Sequence, residues 1–390
     1  MSTSASQWPA LGWEDRVWQP AAGFGRGRYK ASVPPLIATL APAPSAEATE
    51  AAAFATNELS RFDAELGHRV AAFAPVLLRS ESASSSQIEN LTASARAIFS
   101  AELGAKGSRN AELIASNTQA LRAALELSSD ISPEAIREMH RVLMARQPRH
   151  TPGEWRDEPV WIGTRTDSPI GAEFVAPDHD RVPVLISDLT AFADRRDLPS
   201  LTSVAVAHAQ FETIHPFSDG NGRTGRAIAQ AMLRHRGVTR NVAVPVSAGL
   251  LADVDGYHRA LTDYRAGDVS PIVMAFASAS MRAISNARQL IADIDQIQAS
   301  WTARLAVRRS SNAWRLLDVI ARRPVLDAAA AADELGVQRP NVYPPLEALV
   351  GAGILTAKAE HRLGPFWRSA EILDAIDAFA KRAGRREMPR

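Results

Sequence analysis

Residues 215–226 read HPFSDGNGRTGR, and the rest of the chain is best understood outward from them. Twelve positions hold a His, an Asp, an Asn, three Gly and two Arg. The preceding LTSVAVAHAQFETI (201–214) has the apolar character of a buried helix, and AIAQAMLRHRG (227–237) that of another. A polar, glycine-rich loop joining two apolar helices is not something packing asks for. It points to chemistry needing a base, a carboxylate, bare backbone amides and two fixed cations at one joint.

The residue types narrow that chemistry. Gly220 and Gly222 let a ligand approach the backbone and permit unusual dihedrals. They sit where the next helix begins, so unpaired N–H groups and the positive dipole end converge on an anion site suited to phosphate. Asn221 adds an amide donor. Arg223 and Arg226, three apart on the new helix, are spaced to grip a polyphosphate from one side. Asp219 offers a hard oxygen suited to Mg²⁺ held mainly by phosphates and water. His215, outside the helix, is placed to take a proton from an incoming hydroxyl. Pro216 fixes the backbone beside it and Phe217 anchors the loop. The set describes phosphoryl-type or nucleotidyl transfer.

The string resembles the Fic motif, His-Pro-Phe-x-Asp/Glu-Gly-Asn-Gly-Arg-x-x-Arg, with every fixed position filled. PGEWRDEPVWIG followed by AEFVAP is similar to the family's β-hairpin flap, and VPVLISDLTAF to the helix after it. The resemblance covers about residues 45–285 and, more loosely, the N-terminal arm and C-terminal domain. It implies an all-α fold: a Fic helical core with a small β-hairpin flap, an N-terminal inhibitory helical region and a C-terminal winged helix-turn-helix. It also implies an enzyme moving AMP from ATP, with Mg²⁺, to a Ser, Thr or Tyr hydroxyl of a target protein or of itself. By position, His215 is then the base and Asp219 the metal ligand. Gly220, Asn221 and Gly222 form the anion hole, Arg223 contacts the β-phosphate and Arg226 the γ-phosphate. Gly225 suits the ordinary ATP orientation, Tyr257 aligns near the adenine, and Gln210 is placed facing the pocket.

A second stretch, SSSQIEN (84–90), resembles the family's inhibitory motif, Ser/Thr-x-x-x-Glu-Gly/Asn, through Ser85, Glu89 and Asn90. Ser85 is expected to cap a short helix that projects Glu89 about one turn later. The resemblance implies that Glu89 pairs with Arg226 where the γ-phosphate belongs, so that ATP binds unproductively. A charge-assisted pair is strong enough to compete in a partly buried site. Removal of AMP by the same enzyme is left open.

Composition is that of a globular protein: 390 residues, 46% hydrophobic, 22% charged, net charge +1 and no cysteine. Disulfides and thiolate metal sites are thereby excluded. The start MSTSASQWPALGWED has no secretion-signal pattern, no apolar run reaches a membrane span, and the expected location is the cytoplasm. The first ~45 residues read as an extended arm docked through Trp8, Trp13 and Trp18. Ser45 is a candidate N-cap, with Phe54, Leu59 and Phe62 on one helix face. VWIGT and AEFVAP form the expected hairpin. The boundaries follow as 1–110 for the arm and inhibitory region, 111–285 for the catalytic core, 286–310 for a linker helix and 311–390 for the winged helix.

Residues 301–390 hold fifteen Lys/Arg against ten Asp/Glu. A DNA-binding version would present Gln338, Arg339 and Asn341 to the groove and Arg362 or Arg368 to the backbone. Pro344 and Pro345 are expected to interrupt the recognition helix, and the charge excess is small, so DNA is not favoured as partner. A homodimer is left open. Two other readings stand beside AMP transfer: a nucleotide-sensing DNA-binding regulator, and transfer of another phosphate-containing group on the same loop.

Overall fold

Arm, helices and short strands follow one another along the computed structural model, which describes residues 8–19, 25–147, 150–163, 165, 167–359 and 363–384, the side chain of His68 excepted. In chain order, the elements begin with β1 (Gly12–Trp18), β2 (Gly27–Val33), α1 (Ala46–Glu65), α2 (Val70–Ile88), α3 (Ala95–Glu102), α4 (Arg109–Glu126) and α5 (Pro133–Met144). There follow β3 (Trp161–Ile162), β4 (Phe174–Val175), α6 (Val182–Asp194), α7 (Ser200–Ile214), α8 (Asn221–His235), α9 (Val246–Leu251), α10 (Val254–Arg265) and α11 (Ser270–Arg304). The last are α12 (Asn312–Arg322), β5 (Val325–Leu326), α13 (Ala328–Leu335), α14 (Tyr343–Gly351), β6 (Thr356–Ala359), β7 (Pro365–Arg368) and α15 (Ala370–Ala383). The molecule is mostly helical, with few short strands. Among the described residues no helix is long and apolar enough to cross a membrane.

Helix starts are written into the sequence as short polar side chains. Ser94, Ser132, Asp253, Ser311, Asp327 and Ser369 each accept a backbone N–H of the helix they open. Ser45 does the same for α1, its Oγ accepting the Ala48 N–H at 3.2 Å. Leu59 and Phe62 are buried in that helix, whereas Phe54 is exposed and drops off the expected face.

The chain forms two compact units, each discontinuous in sequence. One comprises residues 1–60, 119–240 and 253–279; the other comprises 61–118, 241–252 and 280–390. In the first, α7 is the centre: every residue from Leu201 to Ile214 is buried. A helix covered on all sides has no solvent-facing polar stripe, and its polar side chains, His208, Gln210 and Glu212 among them, are buried too. α6, α8 and α10 pack on it. The β3–β4 pair has the expected hairpin register, Trp161 opposite Val175 and Ile162 opposite Phe174.

The N-terminal arm corrects the sequence reading. It is an antiparallel hairpin, with β1 and β2 paired over seven residues from Gly12–Val33 to Trp18–Gly27. Alternation was hidden because both of its faces are mixed, with only Ala31 and Ser32 fully buried in β2. The tryptophans do dock: Trp8 on Tyr264, Trp13 edge-on to Phe174, Trp18 edge-on to Trp161.

In the second unit α2 is packed by α9, α12 and α15. Glu81, 2% exposed on α2, accepts both the backbone N–H and the hydroxyl of Ser247. Near the chain end, β5, β7 and β6 form one antiparallel sheet in that order. Pro344 and Pro345 do not interrupt a helix; they lie in the first turn of α14, where a missing N–H costs nothing. Gln338, Arg339 and Asn341 are exposed, Arg368 is buried, and Arg362 lies outside the described residues.

Candidate active site

The loop is held open by two left-handed residues. His215 ends α7 at φ +50°, ψ +61°, and Gly220 begins α8 at φ +78°. A non-glycine residue in that region is strained and needs outside support. Arg156 supplies it. Its Nε donates to the His215 carbonyl at 2.8 Å and its own backbone N–H to the Pro216 carbonyl at 3.0 Å. The other guanidinium nitrogens reach the carbonyls of Glu158, Pro177 and Ile214. The side chain is thus fixed to backbone before the flap, after it, and at the loop itself. Burial pushes its pKa down to about 10, so it stays a cation at neutral pH.

His140 on α5 supports the other end. Its Nδ1 accepts the Gly153 N–H at 2.9 Å, so the ring proton sits on Nε2, which donates to the Asp219 carbonyl at 3.0 Å. The ring stacks on Phe217 at 3.6 Å between centroids. Burial lowers its pKa to about 4, against the opposing Asp219 hydrogen bond, and the imidazole is neutral. Gly220 is required twice here: by its backbone sign, and because a Cβ would meet Met144, Leu143 and His140 at 3.1–3.5 Å.

The predicted residues fall into place unevenly. The Asn221 side chain is committed to the loop, Oδ1 accepting the Phe217 N–H and Nδ2 donating to the Phe217 carbonyl. Its amide braces the bend instead of adding a ligand donor; what it offers a ligand is its backbone N–H at the start of α8. Gly222 has ordinary helical backbone, so only Gly220 of the two shows the unusual dihedral. Gly225 faces α7, where a Cβ would meet Glu212 Oε1 at 2.8 Å and Phe211 at 2.9 Å. Arg223 and Arg226 are both buried, with the Arg223 guanidinium 3.8 Å from Asp219.

Asp219 keeps a half-exposed carboxylate. One oxygen accepts the Gly220 N–H at 2.6 Å and the other lies 3.7 Å from His150. A single hard carboxylate at a helix N-terminus fits a magnesium ion coordinated mostly by phosphate and water, not a metal caged by protein. Among the described residues the one cluster of three candidate ligands is Asp178, His179 and Asp180, which does not include Asp219. The His215 ring is partly exposed; its Nδ1 lies 3.4 Å from the Glu212 carbonyl, which can only accept. The proton therefore belongs on Nδ1, leaving Nε2 as the basic nitrogen.

Gln210 and Tyr257 were expected at the nucleotide, and the structure gives both inward partners. Gln210 is fully buried, donating to the Pro35 carbonyl and accepting from the Tyr264 hydroxyl. The Tyr257 hydroxyl lies 2.7 Å from Nε2 of His208, itself buried, with a pKa lowered to about 3 by desolvation and by Arg226. Ser85, Glu89 and Asn90 stand on the second compact unit, the loop on the first. Ser85 does not cap a helix; it is buried within α2, four residues from its end. Glu89 follows the last residue of α2 and is exposed, and Asn90 is left-handed at φ +60°.

Sequence reasoning missed Arg156 and His140. His140 left a trace, a histidine among the apolar positions Ile136, Met139 and Leu143 of α5. Arg156 left none, because all its acceptors are backbone carbonyls, which any residue supplies.

Fold and loop together are similar to those of Fic-type proteins. Residues 130–233 match the Fic/DOC family and form a domain of that family. The chain is 28% identical over 155 residues to the protein adenylyltransferase fic-1 of Caenorhabditis briggsae, covering 40% of this chain and 28% of that one. It is 26% identical over 202 residues to the protein adenylyltransferase Fic of Drosophila erecta, covering 49% and 38%. A probable protein adenylyltransferase of Aquifex aeolicus is 35% identical over 98 residues, covering 23% and 30%. The matches thus span well under half of each relative's length. A crystal structure of a Fic family protein from Desulfovibrio desulfuricans shares the fold, with a TM-score of 0.54 at 21% identity over 85% of this chain and 98% of that chain.

Proposed function

We propose that the protein is an adenylyltransferase that moves AMP from ATP to a hydroxyl side chain of a protein, itself included. The observation that carries this reading is the braced bend at 215–220, which sets a partly exposed imidazole and a half-exposed carboxylate at the opening of α8. The first N–H groups of α8 and the dipole end attract the phosphates, and Arg223 and Arg226 add charge from the first two turns. A magnesium ion held by Asp219 would neutralise phosphate charge. His215 Nε2 takes the proton as the hydroxyl oxygen bonds to the α-phosphorus; the bond to the β-phosphate oxygen breaks and pyrophosphate leaves. Gln210 and Tyr257, with their polar ends turned to the core, enter the proposal as the wall behind the nucleotide.

The same reading makes Glu89 an inhibitor acting on Arg226. A carboxylate at the C-terminal end of a helix works against the dipole. Incubation with ATP labelled at the α-phosphate tests the transfer. A label retained on protein with the mass of AMP supports it. Label recovered only as free nucleotide with no adduct, or an adduct of another mass, removes it, the latter favouring transfer of a different group.

For residues 311–390 we infer a winged helix that works by docking. Its α12 and α15 are already engaged on α2, and Glu347 stands exposed on the would-be recognition helix. DNA binding that weakens steeply as salt rises would reverse this inference and bring back the regulator reading.

A further inference from the structure

A cavity of about 630 Å³ lies in the first compact unit, where the arm, the flap and α10 meet. The flap gives it Ile162, Glu173 and Phe174, and α10 gives His258, Leu261, Thr262 and Arg265. The third wall, Ala10, Leu11 and Trp13, comes from the arm. Its size is that of a small-molecule site, apolar with a few polar groups at hand.

The arm is fastened there. The Leu11 N–H donates to the Arg265 carbonyl at 2.9 Å. At Gly267, φ +98°, the arm passes so close that a Cβ would meet the Trp8 carbonyl at 2.8 Å and the Ala10 nitrogen at 3.3 Å. Beyond the hairpin, Pro35 accepts from Gln210 and the Ile37 N–H donates to Asp188. Trp13, held between these latches, leans edge-on against Phe174 with 48% of its surface still exposed. The Arg265 guanidinium lies over the same Phe174 ring, 3.8 Å from its centre. An aromatic this exposed, in a strand this firmly fixed, has a flat face available to a flat ligand.

The cavity and α8 are linked through α10. Tyr257, beside the lining His258, meets His208 at 2.7 Å, and a Cβ on Gly225 of α8 would meet His208 at 3.3 Å. A nucleotide with its phosphates at the start of α8 has this cavity, within the same compact unit, for its other end.

We propose that the N-terminal arm is a wall of the base-binding pocket and that Trp13 determines which nucleotide the protein accepts, by lying against the purine ring of ATP. This rests on reading the loop as the phosphate site, and the experiment separates the two. Calorimetry measures the binding of ATP, CTP and inorganic tripolyphosphate, each with magnesium, to the full chain and to Trp13→Ala and Trp13→Phe.

Trp13→Ala is expected to weaken ATP about tenfold, as loss of a base-stacking partner does, and to narrow the preference for ATP over CTP. Tripolyphosphate binding stays unchanged, and Trp13→Phe keeps most of the ATP affinity. ATP affinity unchanged in Trp13→Ala overturns the proposal while leaving the loop reading intact. Equal weakening of ATP and tripolyphosphate also overturns it, because the arm would then only brace the loop. A wild-type chain that binds neither ligand overturns the loop reading, and this proposal with it.

Discussion

Residues 215–226 and residues 84–90 each carry a candidate functional motif, and they hold their shape by different means. The loop is fastened side chain to backbone: Asn221 closes on Phe217, Asp219 on Gly220, His140 on Asp219 and Arg156 on His215. The stretch 84–90 is a helix end closed by backbone hydrogen bonds. The Asn90 N–H donates to the Gln87 carbonyl and the Leu91 N–H to the Ser86 carbonyl, with Asn90 left-handed between them. That is the Schellman arrangement, which needs only Gly or Asn at one position. A loop that fastens itself must write its fasteners into the sequence; a helix end need not.

The comparison breaks first at His215. If the loop exists to present that imidazole, His215→Ala should lower AMP transfer about a thousandfold while ATP still binds by calorimetry. Transfer at the wild-type rate would leave the bend without its proposed purpose. Loss of ATP binding together with transfer would make His215 part of the scaffold.

The fasteners predict an acid sensitivity centred on the loop. His140 and His208 have folded pKa values depressed to about 4 and about 3, chiefly by burial. In the unfolded chain both return to about 6.5, so below that pH the unfolded state binds protons that the fold refuses. Stability is full above about pH 6.5 and is lost as pH falls, by about 2 kcal/mol for each histidine at pH 5. Urea midpoints at pH 7 and pH 5 measure this, above the range where most carboxylates titrate. His140→Gln should flatten part of the slope; a midpoint independent of pH in wild type would mean that neither ring is held neutral.

Gly225 asks how closely α8 must lie on α7. A methyl there would press on Glu212 and Phe211 at under 3.0 Å. Gly225→Ala should cost about 2 kcal/mol from overpacking, read as a lower thermal midpoint. An unchanged midpoint would show that the Glu212 side chain swings clear.

How much of this was legible follows from the same contrast. The helix–loop–helix frame could be read because α7 is rich in apolar residues and the loop is dense in residues with one use each. One helix start could be read, from Ser45. The arm's hairpin could not, because β1 and β2 lack clean alternation and are held by docked tryptophans. Nor could Arg156, whose acceptors leave no mark on sequence. Ser85 was misread as a cap because Ser followed by Glu suits either end of a helix, and α2 runs on through it to Ile88.

On the other side of the comparison, Glu89 follows the last turn of α2, where the dipole is unfavourable to a carboxylate. If it restrains the enzyme, Glu89→Gly should raise self-modification about tenfold, within the ordinary range for coupling between sites. The thermal midpoint should hold or rise slightly, since a charge unfavourable to the helix end is removed. Rates equal to wild type would reduce the stretch to an ordinary helix end.

The smallest effect discriminates most finely, because it separates helix termination from inhibition at adjacent residues. Asn90 adopts φ +60°, where an alanine is strained by about 1 kcal/mol and a glycine is not. Asn90→Ala should therefore lower stability by about that amount, and Asn90→Gly should leave it level or improve it. Neither removes the Glu89 carboxylate, yet Asn90→Ala loosens the turn that aims it. Self-modification should then rise in Asn90→Ala, less than in Glu89→Gly, and stay at the wild-type level in Asn90→Gly. A rise in both Asn90 variants would mean that the asparagine side chain itself takes part in restraint. A rise in neither would show that Glu89 is aimed by the body of α2, where Glu81 is bound to Ser247, and not by its last turn.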